Sequence, residues 1–435
     1  MTYSVIRKSA RTGFTLLALA AVSQTWALKP KEYPDTFLIP ERAIIASGAP
    51  ENGRHLVAVL YDSENLHFSD PSAPRFLFLD RKGKVALGIG GYLKGTVQYD
   101  FDGSIDDGAS LSTFDIPVPN NPAQRSQFYG NANHSTIFLQ LVGRSDKFGY
   151  YSAYIQTTFQ GDGPQGYGVK VKQAYMRVGY VTAGLANSTF VDGAAGTPVV
   201  EDAGPSGEMS RKNVLVKYAP RFSDHLSGAI GVEVAPVTST FNDVTQKINQ
   251  RVPDIPVYLQ YEWGGGKSHV RASGLLRNMS YRDLVEHSNR FKTGWAVQLS
   301  GVFNIYDLTL FAQGAYGRGY GAYINDLGGN ELDMVYDGTT GKMTAPKTAN
   351  FELGASYSFS PKFSLTGTFS KAMTFGLSDL PATTYRYGQY LGVNAFYEIV
   401  PDLTIGLQYF RGWRKDYSDV TGHANSVMVM MKYSF

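Results

Sequence analysis

The stretch VALGIGGYLKGTVQYDF, Val85 to Phe101, alternates with a period of two. Val85, Leu87, Ile89, Gly91, Leu93, Gly95, Val97, Tyr99 and Phe101 share one face. Ala86, Gly88, Gly90, Tyr92, Lys94, Thr96, Gln98 and Asp100 share the other. Successive side chains of a strand point to opposite sides, so this segment has one apolar and one polar surface. A single strand of this kind suits a soluble sandwich as well as a membrane barrel. The two are separated by how often the pattern recurs and how its connections alternate.

It recurs along the rest of the chain. Ile137, Leu139 and Leu141 alternate with Thr136, Gln140 and Arg144; Val257, Leu259 and Tyr261 with Tyr258, Gln260 and Glu262; Val270, Ala272 and Gly274 with Arg271 and Ser273. The pattern returns through 295–303, 308–316, 351–359, 363–369, 391–397, 403–409 and 427–435, and residues 168–190 fit two further strands whose phase is uncertain around Ala174. The count is about sixteen, an even number, as expected of a bacterial barrel. Short connections near Asp146, Val181, Asp224, Gly265, Tyr306, Pro361 and Pro401 alternate with long ones near 102–132, 160–167, 191–210, 236–254, 282–292, 317–346, 372–385 and 415–422. The pattern predicts an all-β transmembrane antiparallel barrel over residues 84–435, with short periplasmic turns and long external loops.

Composition agrees. Gly numbers 47, Tyr 29 and Phe 25, charged residues are 18%, and cysteine is absent, which removes disulfides and Cys-ligated metals. A net charge of +3 without clustered basic tracts gives no reason to expect nucleic acid as a partner. Arg7, Lys8 and Arg11 precede the apolar run Gly13 to Val22 and small residues at Thr25-Trp26-Ala27, so residues 1–27 read as a signal peptide. Residues 28–83, rich in Pro and charge, read either as a periplasmic extension or as an inward-folded plug, with a helical turn or two around His55–Tyr61.

In hydrocarbon every backbone group must be paired, so such a sheet closes on itself. Its outer face meets outer-membrane lipid, and 16 to 18 strands leave an aqueous channel. By parity, Lys94, Arg144, Arg177, Lys217, Arg271, Arg277 and Lys432 point inward as pore-lining residues, against Asp100, Glu233, Glu262, Glu352 and Glu398. Fixed charge selects permeating ions by sign, and this excess predicts a preference for anions. The alternative is that these charges pair among themselves. The third long loop carries Asp192, Glu201, Asp202, Glu208 and Arg211 among small turn-forming residues. A loop of this composition is able to double back as a constriction, its acids facing basic wall residues; an ordinary solvated loop is the other reading.

Several pieces resemble the DcaP-like trimeric porin family of Gram-negative outer membranes: GGYLKGTVQYDFD (Gly90–Asp102), KQAYMRVGY with LANSTFVD (Lys172–Asp192), GPSGEMSRKNVLVKY (Gly204–Tyr218) and LGVNAFYEIVPDLTIGLQYFRGWR (Leu391–Arg414). Asp70–Gly91 is similar to the variant of Bacteroidetes-type members. The resemblance implies a homotrimer, an inward third loop and a preference for small acids such as dicarboxylates. It implies that Arg177 and Arg211 line the pore and that Asp192 begins the loop. Lys172 and Gln173 stand where relatives often have Arg and His, and 28–83 lacks the heptads of the family's N-terminal coiled coil. The terminal aromatic Phe435 resembles the signal read by the outer-membrane assembly machinery.

Two other classes remain: a barrel enzyme of lipase or protease type, and a binding or adhesion protein using its loops. His134-Ser135 is a weak hydrolase candidate, since adjacent residues point to opposite faces. The run Asp102–Asp107 lacks a full calcium-loop spacing, and Gly317-Arg318-Gly319 has no strand-to-helix unit after it. No catalytic residue, cofactor or metal is expected.

Overall fold

The computed structural model describes residues 31–62, 66–71, 73–103, 105, 110–162, 166–330, 332–376 and 381–435. The expected signal peptide, and Asp106 and Asp107 of the acidic run, lie outside them. The barrel strands in chain order are β1 (Val85–Asp102), β2 (Thr136–Ser145), β3 (Gly149–Gly161), β4 (Gly168–Val178), β5 (Val181–Asn187), β6 (Lys212–Tyr218), β7 (Leu226–Val234) and β8 (Ile255–Trp263). They continue with β9 (Ser268–Asp283), β10 (Ser288–Ile305), β11 (Leu308–Arg318), β12 (Lys347–Ser360), β13 (Phe363–Phe375), β14 (Tyr385–Val400), β15 (Leu403–Asp416) and β16 (Thr421–Ser434). Each pairs antiparallel with the next, and β16 pairs with β1 in the register Val427↔Tyr99 and Met431↔Gly95, so the sheet closes. Phe435 and Gly91 exchange backbone hydrogen bonds of 2.9 and 2.8 Å at the seam.

Parity sorts the side chains as the alternation predicts. Leu93, Val97, Leu139, Leu141, Val214, Val216, Leu259, Leu299, Val393 and Val429 are exposed on the outer face, while Lys94, Thr96, Gln98, Asp100, Gln260, Arg271, Gln298, Glu352 and Gln408 are buried within. An apolar exterior around a polar interior suits lipid outside.

β16 ends opposite Tyr92, which leaves the start of β1 with an unpaired edge. The N-terminal segment fills it. Phe76–Leu79 pairs antiparallel with Ala86–Ile89 and continues the wall below the C-terminus, and Ile44–Ser47 lies parallel to that strand. Between these two strands runs α1 (Pro50–Leu60), longer than the turn or two read from sequence. Pro50 at its first turn has no intrahelical partner to lose, and Glu51 complements the helix N-terminus. Leu56, Val57 and Leu60 then pack on Leu77, Leu79 and the inward residues Ala86 and Val142.

Two expected long connections are shorter than predicted. The β9–β10 hairpin runs to the pair Asp283↔Ser288, leaving only residues 284–287 as turn. The β15–β16 hairpin reaches Lys415↔Thr421. In both, the polar ends of the strands (Arg282 against Asn289, Arg414 against Gly422) read as loop because they lack the apolar alternation below them. The described parts of other connections fold into the lumen and bury apolar residues: Ile105, Leu111 and Ile116 after β1, Phe190, Val200 and Met209 of 188–211, and Tyr320, Tyr323 and Leu327 after β11.

Candidate functional site

The loop 188–211 follows the short strand β5 and is tied to the inner wall through its own backbone. Thr197 N donates to Glu352 Oε1 at 2.8 Å, Val200 N to Gln408 Oε1 at 2.9 Å, Gly207 N to Ser370 Oγ at 3.2 Å and Met209 N to Gln313 Oε1 at 3.0 Å. Buried donors need such acceptors, and the inward polar face of the strands supplies them. Gly207 allows the approach: a Cβ there would stand 2.3 Å from the carbonyl oxygen of Phe351. At the loop's start, Asp192 lies 2.8 Å from His269 Nε2, accepts from Ser300 Oγ at 2.6 Å and faces Arg271 at 3.8 Å.

The other infolded segments are held by charge. Arg277, 2% exposed, lies between Asp254 at 2.8 Å and Asp333 at 2.9 Å, joining β9 to the loop 319–346. Glu233 accepts from Thr189 N at 2.7 Å and Asn213 Nδ2 at 2.9 Å. Asp100 accepts from Ile105 N at 3.1 Å. Inward parity therefore divides into two roles. Asp100, Glu233, Arg271, Arg277 and Glu352 anchor loops.

Two cavities lie within the lumen beside the infolded loop and the N-terminal segment. An outer cavity of about 390 Å³ is lined by Lys170, Lys172, Arg211 and Lys212 together with Asp202 and Glu208. An inner cavity of about 260 Å³ lies toward the periplasmic end, lined by Arg75, Tyr92, Asp402, Lys432 and Phe435. His67 and Asp70 line both.

The cavity's charges are unevenly paired. Lys94 Nζ stands 2.8 Å from Asp202 Oδ1 and donates to Val200 O at 2.6 Å. Burial alone would raise the Asp202 carboxyl, but Lys94 and His134 beside it hold it below the usual carboxylate range. His67 Nε2 is 2.8 Å from Glu208 Oε1. Among the described residues, Lys170, Lys172, Arg211 and Lys212 make no ion pair, and Asp70 is the only cavity acid without one.

Glu201 turns the other way, toward the wall. It accepts from Tyr390 OH at 3.2 Å and Ala203 N at 2.7 Å, and burial pushes its carboxyl up to about 8. The remaining inward charges sit nearer the periplasmic rim. Arg144 is exposed with its guanidinium 5.5 Å from the Tyr150 ring, and Glu262 pairs with Arg221 at 2.9 Å. Arg177 lies 3.5 Å from Thr182 Oγ1 on the neighbouring strand, opposite which Lys217 is half-buried. Glu398 accepts from the Asp402 backbone at 3.2 Å. Lys432 sits 4.5 Å from the Tyr92 ring centre.

Parity counting missed Lys170 and Lys172. On β4, Gln173 pairs with Gln156 but Val171 with Thr157, so Lys172 is an extra, bulged residue. A bulge lets consecutive side chains share a side. Gln173 then bonds Gln156 at 3.0 Å while Lys172 reaches the outer cavity, which explains the uncertain phase near Ala174. Asp102, first of the acidic run, lies 2.6 Å from His423 Nε2 and 3.4 Å from Arg125.

A sequence model of the porin subfamily matches residues 89–431. No curated protein sequence matches the chain significantly. Among solved structures, the outer membrane channel DcaP of Acinetobacter baumannii superposes with a TM-score of 0.71 at 17% identity, covering 81% of this chain and 98% of that one. OmpT, expressed in the outer membrane of Vibrio cholerae, gives a TM-score of 0.50 at 11% identity over 81% and 98%. At these identities the likeness is one of fold.

Proposed function

Because the chain belongs to the porin subfamily and resides in the outer membrane of a Gram-negative bacterium, we propose that it passes small hydrophilic solutes by diffusion, favouring anions such as dicarboxylates. The observation that carries the charge preference is the uneven pairing in the outer cavity. Asp202 is neutralised by Lys94 and Glu208 is engaged by His67, whereas Lys170, Lys172 and Lys212 present unpaired ammonium groups. In a confined lumen such fixed charge raises the local concentration of the opposite sign. The residues proposed to meet the solute are Lys170, Lys172, Arg211, Lys212, Asp202 and Glu208, with Lys432 nearer the periplasm.

The proposed assembly is a homotrimer, as the family resemblance implies. The barrel is read as a channel without catalytic machinery. Ser135 Oγ donates to the carbonyls of Ala132 at 2.9 Å and Lys94 at 3.3 Å, while His134 Nε2 contacts Gln160 at 2.8 Å, so both are engaged in holding the wall. Swelling of liposomes carrying the purified full chain tests the function. Dicarboxylates should enter faster than uncharged sugars of equal size. Equal rates would remove the charge preference, and no entry of either would remove the porin reading.

A further inference from the structure

His67 and Asp70, which line both cavities, belong to the N-terminal segment and not to the barrel wall. Residues 66–71 enter the lumen from its periplasmic end. Asp70 N closes a turn on His67 O at 2.9 Å, and Tyr92 OH of β1 donates to Ser69 O at 3.1 Å. The wall makes room for the chain that follows: a Cβ at Gly88 or Gly90 would meet Pro74 at 2.6 or 2.8 Å. Among the described residues, no strand ladder holds 66–71; ladder pairing of this part of the chain with the barrel begins at Phe76. The segment's tip instead lies against Gly193 and Gly196 of the infolded loop and makes one hydrogen bond to it, His67 Nε2 to Glu208 Oε1 at 2.8 Å. Glu208 Oε2 is buried without a hydrogen-bond partner.

We propose that residues 66–71 form a resident plug between an outer and an inner chamber, latched to the loop 188–211 by the His67–Glu208 hydrogen bond. Solute crosses when the latch releases. This inference rests on the porin reading above. A segment without ladder hydrogen bonds is cheaper to move than the wall, since local opening draws on regions with few ordered backbone contacts. A hydrogen bond to a carboxylate is strong enough to bias such a two-state element without locking it.

The chain has no cysteine of its own, and a Cβ at Gly193 would lie 3.5 Å from that of His67, within disulfide reach. The test is therefore the full-length His67→Cys/Gly193→Cys variant in planar bilayers, recorded oxidised and then after a reductant. Heat-modifiable gel migration checks that each form is folded. The oxidised form should stay at a low conductance level, and reduction, which leaves neither the crosslink nor His67 to hold the segment, should raise mean conductance roughly tenfold, as when a minor open state becomes the major one. Glu208→Gln in the otherwise natural chain should raise conductance in the same direction without any reductant. Gly193→Cys alone should show no response to reduction. Equal conductance of the oxidised and reduced double variant would overturn the plug while leaving the porin reading intact. Silence in every form, natural chain included, would overturn both.

Discussion

The Lys94 ammonium and the Asp202 carboxylate stand 2.8 Å apart, joining the first barrel strand to the infolded loop. The pair is buried, with side chains 6% and 3% exposed. Removing one member of a buried pair leaves the other charge uncompensated, at about 3–5 kcal/mol. Lys94→Gln should therefore lower the thermal midpoint of the folded barrel on heat-modifiable gels. It should also leave Asp202 with only His134, 3.4 Å away, beside it, so the reversal potential in a salt gradient should move toward cations. A variant that keeps both values at those of the natural chain would show that the pair matters to neither.

Arg277 predicts a purely structural effect. Its guanidinium bridges Asp254 and Asp333, and Arg277→Ala leaves two carboxylates buried. A destabilisation of about 3–5 kcal/mol follows, felt first in the docking of 319–346. Limited proteolysis of the folded barrel should cut within that loop in the variant and spare it in the natural chain, with ion selectivity retained whenever the loop stays docked.

The three unpaired lysines predict the opposite separation. Lys170→Gln, Lys172→Gln and Lys212→Gln combined should abolish the proposed anion preference, because these groups carry the charge that Asp202 and Glu208 do not offset. None makes an ion pair, so stability should change by no more than about 0.5 kcal/mol per site. Dicarboxylate uptake in liposomes should fall to the rate of a neutral sugar of the same size.

Glu201 predicts a dependence on pH. Burial raises its folded-state pKa to about 8, with the neighbouring Asp202 adding to the rise and the backbone N–H groups of Gly204 and Ala203 opposing it. Its neutral form is thus the one that fits the docked loop. The stabilisation is full below the ordinary glutamate range and is lost as pH rises through about 8. Current noise and protease access at the loop should increase between neutral pH and pH of about 9. Glu201→Gln, which cannot ionise, should remove that change; a variant with the same pH response would assign it to another group.

The barrel was legible in the sequence because a period of two and the alternation of connections are local properties. The final strand illustrates this: Val427, Val429 and Met431 face outward, Met428 and Met430 inward, and Phe435 meets Gly91 at the seam. Much of the lumen was not legible, for two physical reasons. Parity tells which way a side chain points and is silent on what folds back to meet it. Glu233 and Arg277 point inward as predicted, but their partners Thr189 and Asp333 come from loops distant in sequence. The bulge at Lys172 leaves no mark in composition and shifts the phase of everything on its external side. The docking of Phe76–Leu79 on the wall likewise depends on where the seam leaves an open edge, which follows from the stagger of β16 against β1.

Loop anchoring takes up half of the inward charges, Lys94, Asp100, Glu233, Arg271, Arg277 and Glu352, and leaves an outer cavity dominated by basic side chains without ion pairs. The most direct test is the reversal potential of the purified full-length protein in planar bilayers under a potassium chloride gradient at neutral pH. The potential should have the sign set by chloride permeating faster than potassium. A potential of the opposite sign would contradict the proposed anion preference.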